Sequence, residues 1–119
     1  EVIDEINILN ATKQAMEQCA AEFAGTFLVD AVTGLHLPGE IRSIVHGDAL
    51  SYMIGAASIV AKVERDALMC RYAEDYPEYG FDSCKGYASP AHIEAIKRFG
   101  LTPLHRATFC TAFTQPTLF

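Results

Sequence analysis

The chain has 119 residues, half of them apolar and a fifth charged, a balance that supports one packed domain and excludes a disordered one. Nine Lys and Arg against fifteen Asp and Glu leave a net charge of −6, which excludes a protein that grips nucleic acid through a broad basic surface. The apolar runs all break short of the roughly 20 residues that a membrane span needs, and no charged-then-apolar leader opens the sequence. A soluble cytoplasmic protein with no membrane partner is therefore expected. Cys19, Cys70, Cys84 and Cys110 are widely spaced without a CxxC pair, so free and mostly buried thiols are expected in place of a zinc site or a disulfide framework.

Along the chain, Ile6, Leu9, Ala15, Met16, Cys19, Ala20 and Phe23 recur at spacings of three and four, which predicts an amphipathic helix from Asp4 to Phe23 closed by Gly25. Thr26 to Asp30 reads as a buried strand ending in an acid. A turn-rich connection from Gly34 to Glu40, with Pro38-Gly39, returns the chain as a neighbouring strand over Ile41 to His46. His46 to Asp66 then sets Asp48 at the mouth of a long helix, about Leu50 to Tyr76, which Pro77 ends. Gly55, Ala56, Ala57, Ser58 and Ala61 give that helix a low-profile patch for a close neighbour. A loop from Glu78 to Ser89 is rich in glycine and aromatics. Pro90 starts a further helix to Phe99, stopped by Gly100 and Pro103, and the tail from His105 to Phe119 shows no clear period.

Helix, strand, strand, long helix, loop and short helix make an unbalanced α/β pattern. Two strands form a poor sheet, and the apolar helix faces want something wider to cover. The chain thus reads as a single partial domain over 1–119. Asp30 and Asp48, each at an element end, are candidates to share a cation, because Mg²⁺ takes hard oxygen ligands and keeps positions for water and phosphate. Taken alone, each has an ordinary reading too: Asp30 as a strand-end turn residue and Asp48 as an acid favoured at a helix N-terminus. Lys62 and Asp66 form an i,i+4 pair on the long helix.

IDEINILNAT near the start, FLVD at the first strand, GD followed by IGAASIVAKVERD, YPEYGFDSCKGYAS in the loop, HIEAIKRFG and LTPLHRATF fall in order and spacing as in one family. The chain resembles the C-terminal part of type 2 ribonuclease H, over all but about its last ten residues. The resemblance implies a partial ribonuclease H-like fold: two or more strands with a long packing helix and C-terminal helices, the family's N-terminal strands missing. It implies an endonuclease that cuts the RNA strand of RNA–DNA hybrids, or the phosphodiester 5′ to a ribonucleotide embedded in duplex DNA, by two-metal catalysis with Mg²⁺ or Mn²⁺. Asp30 matches the third of the family's four acidic positions and Asp48 the fourth; both would be catalytic and metal-binding. The first two belong to a DEAGRG-type motif that this sequence does not contain.

Tyr87 matches the tyrosine that packs on the sugar at the scissile junction, with a core-anchoring loop tyrosine as the alternative. Lys85 and Arg106 lie in motifs of the same family and would contact phosphates, with a surface lysine and a helix-packing arginine as the alternatives. Where the family has glycine after the strand aspartate, this chain has Ala31. With half the acidic cluster absent, the chain alone is expected to cleave weakly or not at all unless a missing N-terminal segment or a second chain completes the fold. Two rivals stay open: a noncatalytic α/β fragment or interaction module that assembles with another chain, and the related type 3 enzyme.

Overall fold

The computed structural model describes residues 2–114, which divide into two compact units at the Ala61/Lys62 boundary. In the first unit, α1 (Val2–Ala20) is interrupted at Asn7, whose backbone is non-helical (φ 67°). The Asn7 side chain accepts the amide of Asn10 at 3.0 Å, so it caps the helix that follows. Helix α1 ends three residues before the expected Phe23. Gly25, expected as its stop, instead opens strand β1 (Gly25–Asp30).

Strand β2 (Gly39–Ile44) starts and ends two residues before the expected segment and runs parallel to β1, from Gly25 opposite Gly39 to Asp30 opposite Ile44. Parallel neighbours commonly need a crossover of a dozen or more residues; here 31–38 suffice. Left-handed backbone at Ala31 (φ 58°) and Gly34 (φ 68°) turns this segment. Ser43 Oγ donates to the Val32 carbonyl at 2.6 Å, and Glu17 of α1 accepts both the His36 amide (2.7 Å) and its Nδ1 (3.2 Å). The His36 amide is the main reason the Glu17 carboxyl lies below the usual carboxylate range. Gly39 is required: a Cβ there would collide with the Gly25 carbonyl.

The expected long helix lies over Tyr52–Asp75, starting two residues after Leu50 and ending one before Tyr76, with a separate one-turn helix ahead of it. Helix α2 (Gly47–Leu50) ends at Ser51, whose extended backbone (φ −122°, ψ 118°) breaks the path before α3 (Tyr52–Asp75). Ser51 Oγ then accepts the Ile54 amide at 3.5 Å. Asp48 therefore sits on a separate single turn, because a serine that can cap competes with continuing the helix. Val29, Leu35 and Ile54 are the buried apolar side chains of this unit, whereas Leu50 (74% exposed) and Tyr52 (89%) face outward.

The second unit holds the larger core. A one-turn 3₁₀ helix (Pro77–Tyr79) and α4 (Phe81–Cys84) occupy the expected loop, joined through Gly80 in the left-handed region (φ 61°). Tyr79 and Phe81 stack at 5.8 Å over Ala95 and Ile96 of α5 (Pro90–Phe99) and Cys110 of α6 (Ala107–Thr114). Helix α5 has the expected bounds, with Ser89 Oγ accepting the His92 amide at 3.3 Å as its cap. Helix α6 falls in the tail that showed no period, and 115–119 lie outside the described residues. Of the cysteines, only Cys110 is buried; Cys19 and Cys70 are exposed, and all four are free. No helix among the described residues is long and apolar enough to cross a membrane.

Candidate active site

Asp30 is the last residue of β1, at the C-terminal end of the parallel pair. Its Oδ1 accepts the Gly47 amide at 2.8 Å. Gly47 is buried at the first position of α2; a Cβ on it would stand 3.4 Å from Asp30 Oδ1 and 2.7 Å from the Ile54 side chain. Preceded by His46 in the left-handed region (φ 56°), Gly47 thus lets α2 begin against the end of β1, and Asp48 follows it directly. Both aspartates are exposed. The structure brings them to neighbouring element ends, each at the rim of its own concavity. Asp30 lines an apolar cleft of about 640 Å³ with Phe27, Met53 and Ala57, and Asp48 one of about 600 Å³ with Tyr52 and Gly55.

As donors, these carboxylates fit a hard divalent ion in type. Asp30 Oδ2 and both Asp48 oxygens make no hydrogen bond among the described residues. They fall short in number: no group of three or more His, Cys, Asp and Glu side chains suited to a metal occurs among the described residues.

The second unit holds Lys85, Tyr87 and Arg106. Lys85 ends α4 in the left-handed region (φ 50°), and its ammonium donates to Cys70 Sγ at 3.1 Å. That contact is the main reason the Lys85 amine lies above the usual lysine range. Tyr87 is 70% exposed, not packed into the core as its ordinary reading would have it. Its amide bonds the Cys84 carbonyl at 2.9 Å, and the Arg65 guanidinium lies 5.3 Å from its ring centroid. Arg106 is half-buried, its guanidinium carbon 3.0 Å from the Phe109 ring centroid and its Nη1 buried without a hydrogen-bond partner among the described residues. Tyr87, Arg65 and Arg106 line one cleft of about 610 Å³. Lys62 pairs with Asp66 at 2.9 Å as the i,i+4 spacing predicts.

Two features escaped the sequence reading. One is Arg65, whose contacts lie about twenty positions downstream. The other is a relay through His92 and His105, with Nε2 atoms 3.2 Å apart. His92 Nδ1 donates to the Tyr79 carbonyl at 2.8 Å, and the Thr102 amide donates to His105 Nδ1 at 3.0 Å. Nothing local in the sequence announces this contact between residues thirteen positions apart.

Fold and site together define an α/β chain that carries exposed carboxylates at the C-terminal edge of a parallel strand pair. Residues 2–112 match the family model described as Ribonuclease HII. The chain is 48% identical over 116 residues to a protein named Ribonuclease HII from Ruminiclostridium cellulolyticum, covering 95% of this chain and 46% of that protein. It is 52% identical over 111 residues to one of the same name from Chlamydia trachomatis serovar L2 (92% and 51%), and 49% identical over 112 residues to one from Clostridioides difficile (92% and 44%). The chain belongs to the ribonuclease HII family, and it spans about half the length of the curated relatives it matches.

Proposed function

We propose that the chain is the C-terminal part of a type 2 ribonuclease H that hydrolyses the RNA strand of RNA–DNA hybrids, or the phosphodiester 5′ to a ribonucleotide embedded in duplex DNA, leaving 3′-hydroxyl and 5′-phosphate ends in the cytoplasm. The observation that carries this reading is the Asp30 to Gly47 hydrogen bond, which ties the strand-end acid to the turn bearing Asp48 in a chain of this family. Asp30 and Asp48 would hold Mg²⁺ or Mn²⁺. The chemistry that such ions supply when bound is activation of a water and stabilisation of charge at the departing oxygen.

The chain's own residues position the substrate. Tyr87 presents an exposed ring to the sugar at the cut, Lys85 and Arg106 offer cations to phosphates, and selection by sugar in place of base suits an aromatic platform. The family's two other acids and its N-terminal strands would come from a missing N-terminal segment or from a second chain. A parallel strand pair that is the whole sheet among the described residues, with most of its own residues exposed, supports that division, since parallel sheets are covered on both faces. In the test, this chain is combined with the N-terminal half of a relative, and nicking of a single-ribonucleotide duplex is followed with Mg²⁺. Nicking is expected to appear and to fall by at least about a hundredfold in Asp30→Asn; unchanged nicking by that variant removes Asp30 from the mechanism.

A noncatalytic assembly module is the second reading, favoured by the outward-facing Leu50 and Tyr52. It requires association of the chain. A light-scattering mass of one monomer, together with nicking in the combined sample, excludes it.

A further inference from the structure

Tyr87 lies on a loop whose path is set by two successive left-handed residues, Lys85 (φ 50°) and Gly86 (φ 78°). This path turns the Lys85 carbonyl to Arg65 of α3, whose Nη1 donates to it at 2.7 Å. A Cβ on Gly86 would stand 3.0 Å from Met69 Cε and 3.6 Å from Arg65 Nη2, so the loop lies directly on α3. The same guanidinium sits 5.3 Å from the Tyr87 ring centroid, within the range of a cation–π contact. Of the two acids that flank Arg65, Glu64 and Asp66, the latter is engaged by Lys62. One planar group thus anchors the backbone before Tyr87 and supports its ring.

An exposed tyrosine that must meet a sugar gains from being held beforehand, because ordering a free side chain on binding costs conformational entropy. We propose that Arg65 is a positioning residue for Tyr87: it fixes the Lys85–Tyr87 loop and backs the ring, so that the ring is preset against the ribose of the bound strand. This rests on the reading of Tyr87 as the sugar platform given above. Lysine cannot substitute, since a point charge on a flexible stem lacks the planar fork that meets carbonyl and ring together.

The test uses the full chain as wild type, Arg65→Ala, Arg65→Lys, Tyr87→Ala and the Arg65→Ala/Tyr87→Ala double variant. With each chain combined with the N-terminal half of a relative, binding is measured by fluorescence anisotropy with a labelled RNA–DNA duplex and an all-DNA duplex of the same sequence. Arg65→Ala is expected to weaken hybrid binding about fivefold while changing all-DNA binding little, with Arg65→Lys failing to restore it. In the Tyr87→Ala background, Arg65→Ala is expected to have no further effect. Equal losses in both backgrounds would mean that Arg65 acts on its own, as a phosphate contact or a fold contact, and would overturn the proposal.

Tyr87 ring signals in carbon–proton NMR spectra of the free chain give a second readout. They are expected to move toward free-tyrosine positions in Arg65→Ala, and unchanged signals overturn the proposal whatever the binding. Should wild type fail to prefer the hybrid while the ring signals still respond, the ribonuclease reading of this chain falls and the hold of Arg65 on Tyr87 stands.

Discussion

Ala31, directly after the β1 aspartate, adopts φ 58°, a region in which a Cβ crowds the following carbonyl at a cost of about 1–2 kcal/mol. The position is held by its amide, which bonds the Ile44 carbonyl at 3.0 Å. Glycine, which the resemblance places here, removes the strain but loses more entropy on folding, about 0.4–1 kcal/mol. Ala31→Gly should therefore raise stability by roughly 0.5–1 kcal/mol, seen as a higher urea midpoint at unchanged slope; a lower midpoint would show that the backbone angle is not what limits this turn. A second residue-scale consequence concerns the histidine pair. The Thr102 amide donating to His105 Nδ1 and the Tyr79 carbonyl accepting from His92 Nδ1 fix both tautomers: His105 carries its proton on Nε2 and donates to His92 Nε2. A further proton on either ring sets two N–H groups face to face. Burial, then the nearness of His92, lowers the His105 pKa below its ordinary value. In the unfolded chain His105 takes up a proton near pH 6.5, while the folded chain resists, so the stabilisation is complete above that pH and is lost as pH falls through the lower folded value. The urea midpoint is thus expected to fall between pH 7 and 5, and His105→Asn, which keeps an acceptor for the Thr102 amide, should flatten that fall. An equally steep fall in the variant would assign the effect to other groups.

At the scale of elements, the β1–β2 pair depends on the absence of a side chain at Gly39. A Cβ there meets the Gly25 carbonyl, and the Phe27 ring stands 3.1 Å away; backbone cannot rotate aside as a side chain can. Gly39→Ala is expected to cost about 2–3 kcal/mol and to speed amide exchange along Gly25–Asp30. Retained stability would mean that the strands part at this end without penalty. This glycine also shows what the sequence conceals, because Pro38-Gly39 announces a turn but not the carbonyl of a strand fourteen residues earlier. Elements with local punctuation were legible: Pro90 and Gly100 bracket α5, and the apolar run of β1 ends in its acid. The long helix was legible to within two residues, but only the capping geometry of Ser51 sets its start at Tyr52 and leaves Gly47–Leu50 as a separate turn. The direction of strand pairing and helix α6 had no local signal. The candidate acids stood out through motifs spanning most of the chain, whereas Arg65 and His92 depend on contacts that only the fold creates.

For the molecule as a whole, nine cationic against fifteen acidic side chains set a limit on how it meets a polyanion. A protein that binds through many phosphate contacts loses affinity steeply with salt, by about 0.9 in log affinity per log salt for each contact. Here the cations proposed to meet phosphate are Lys85, whose ammonium donates to Cys70 Sγ, and Arg106, whose guanidinium is partly occupied with Phe109. On the proposed reading, the rest of the affinity would come from the Tyr87 ring and from the carboxylates with bound ions, which salt screens differently. Hybrid binding by this chain in Mg²⁺ is therefore expected to show a shallow slope of about −2, dropping in magnitude by about one in Lys85→Ala. Anisotropy titrations across a salt series read both values. A slope several times steeper would place many more phosphates against this acidic chain and would require a basic surface that neither Lys85 nor Arg106 supplies.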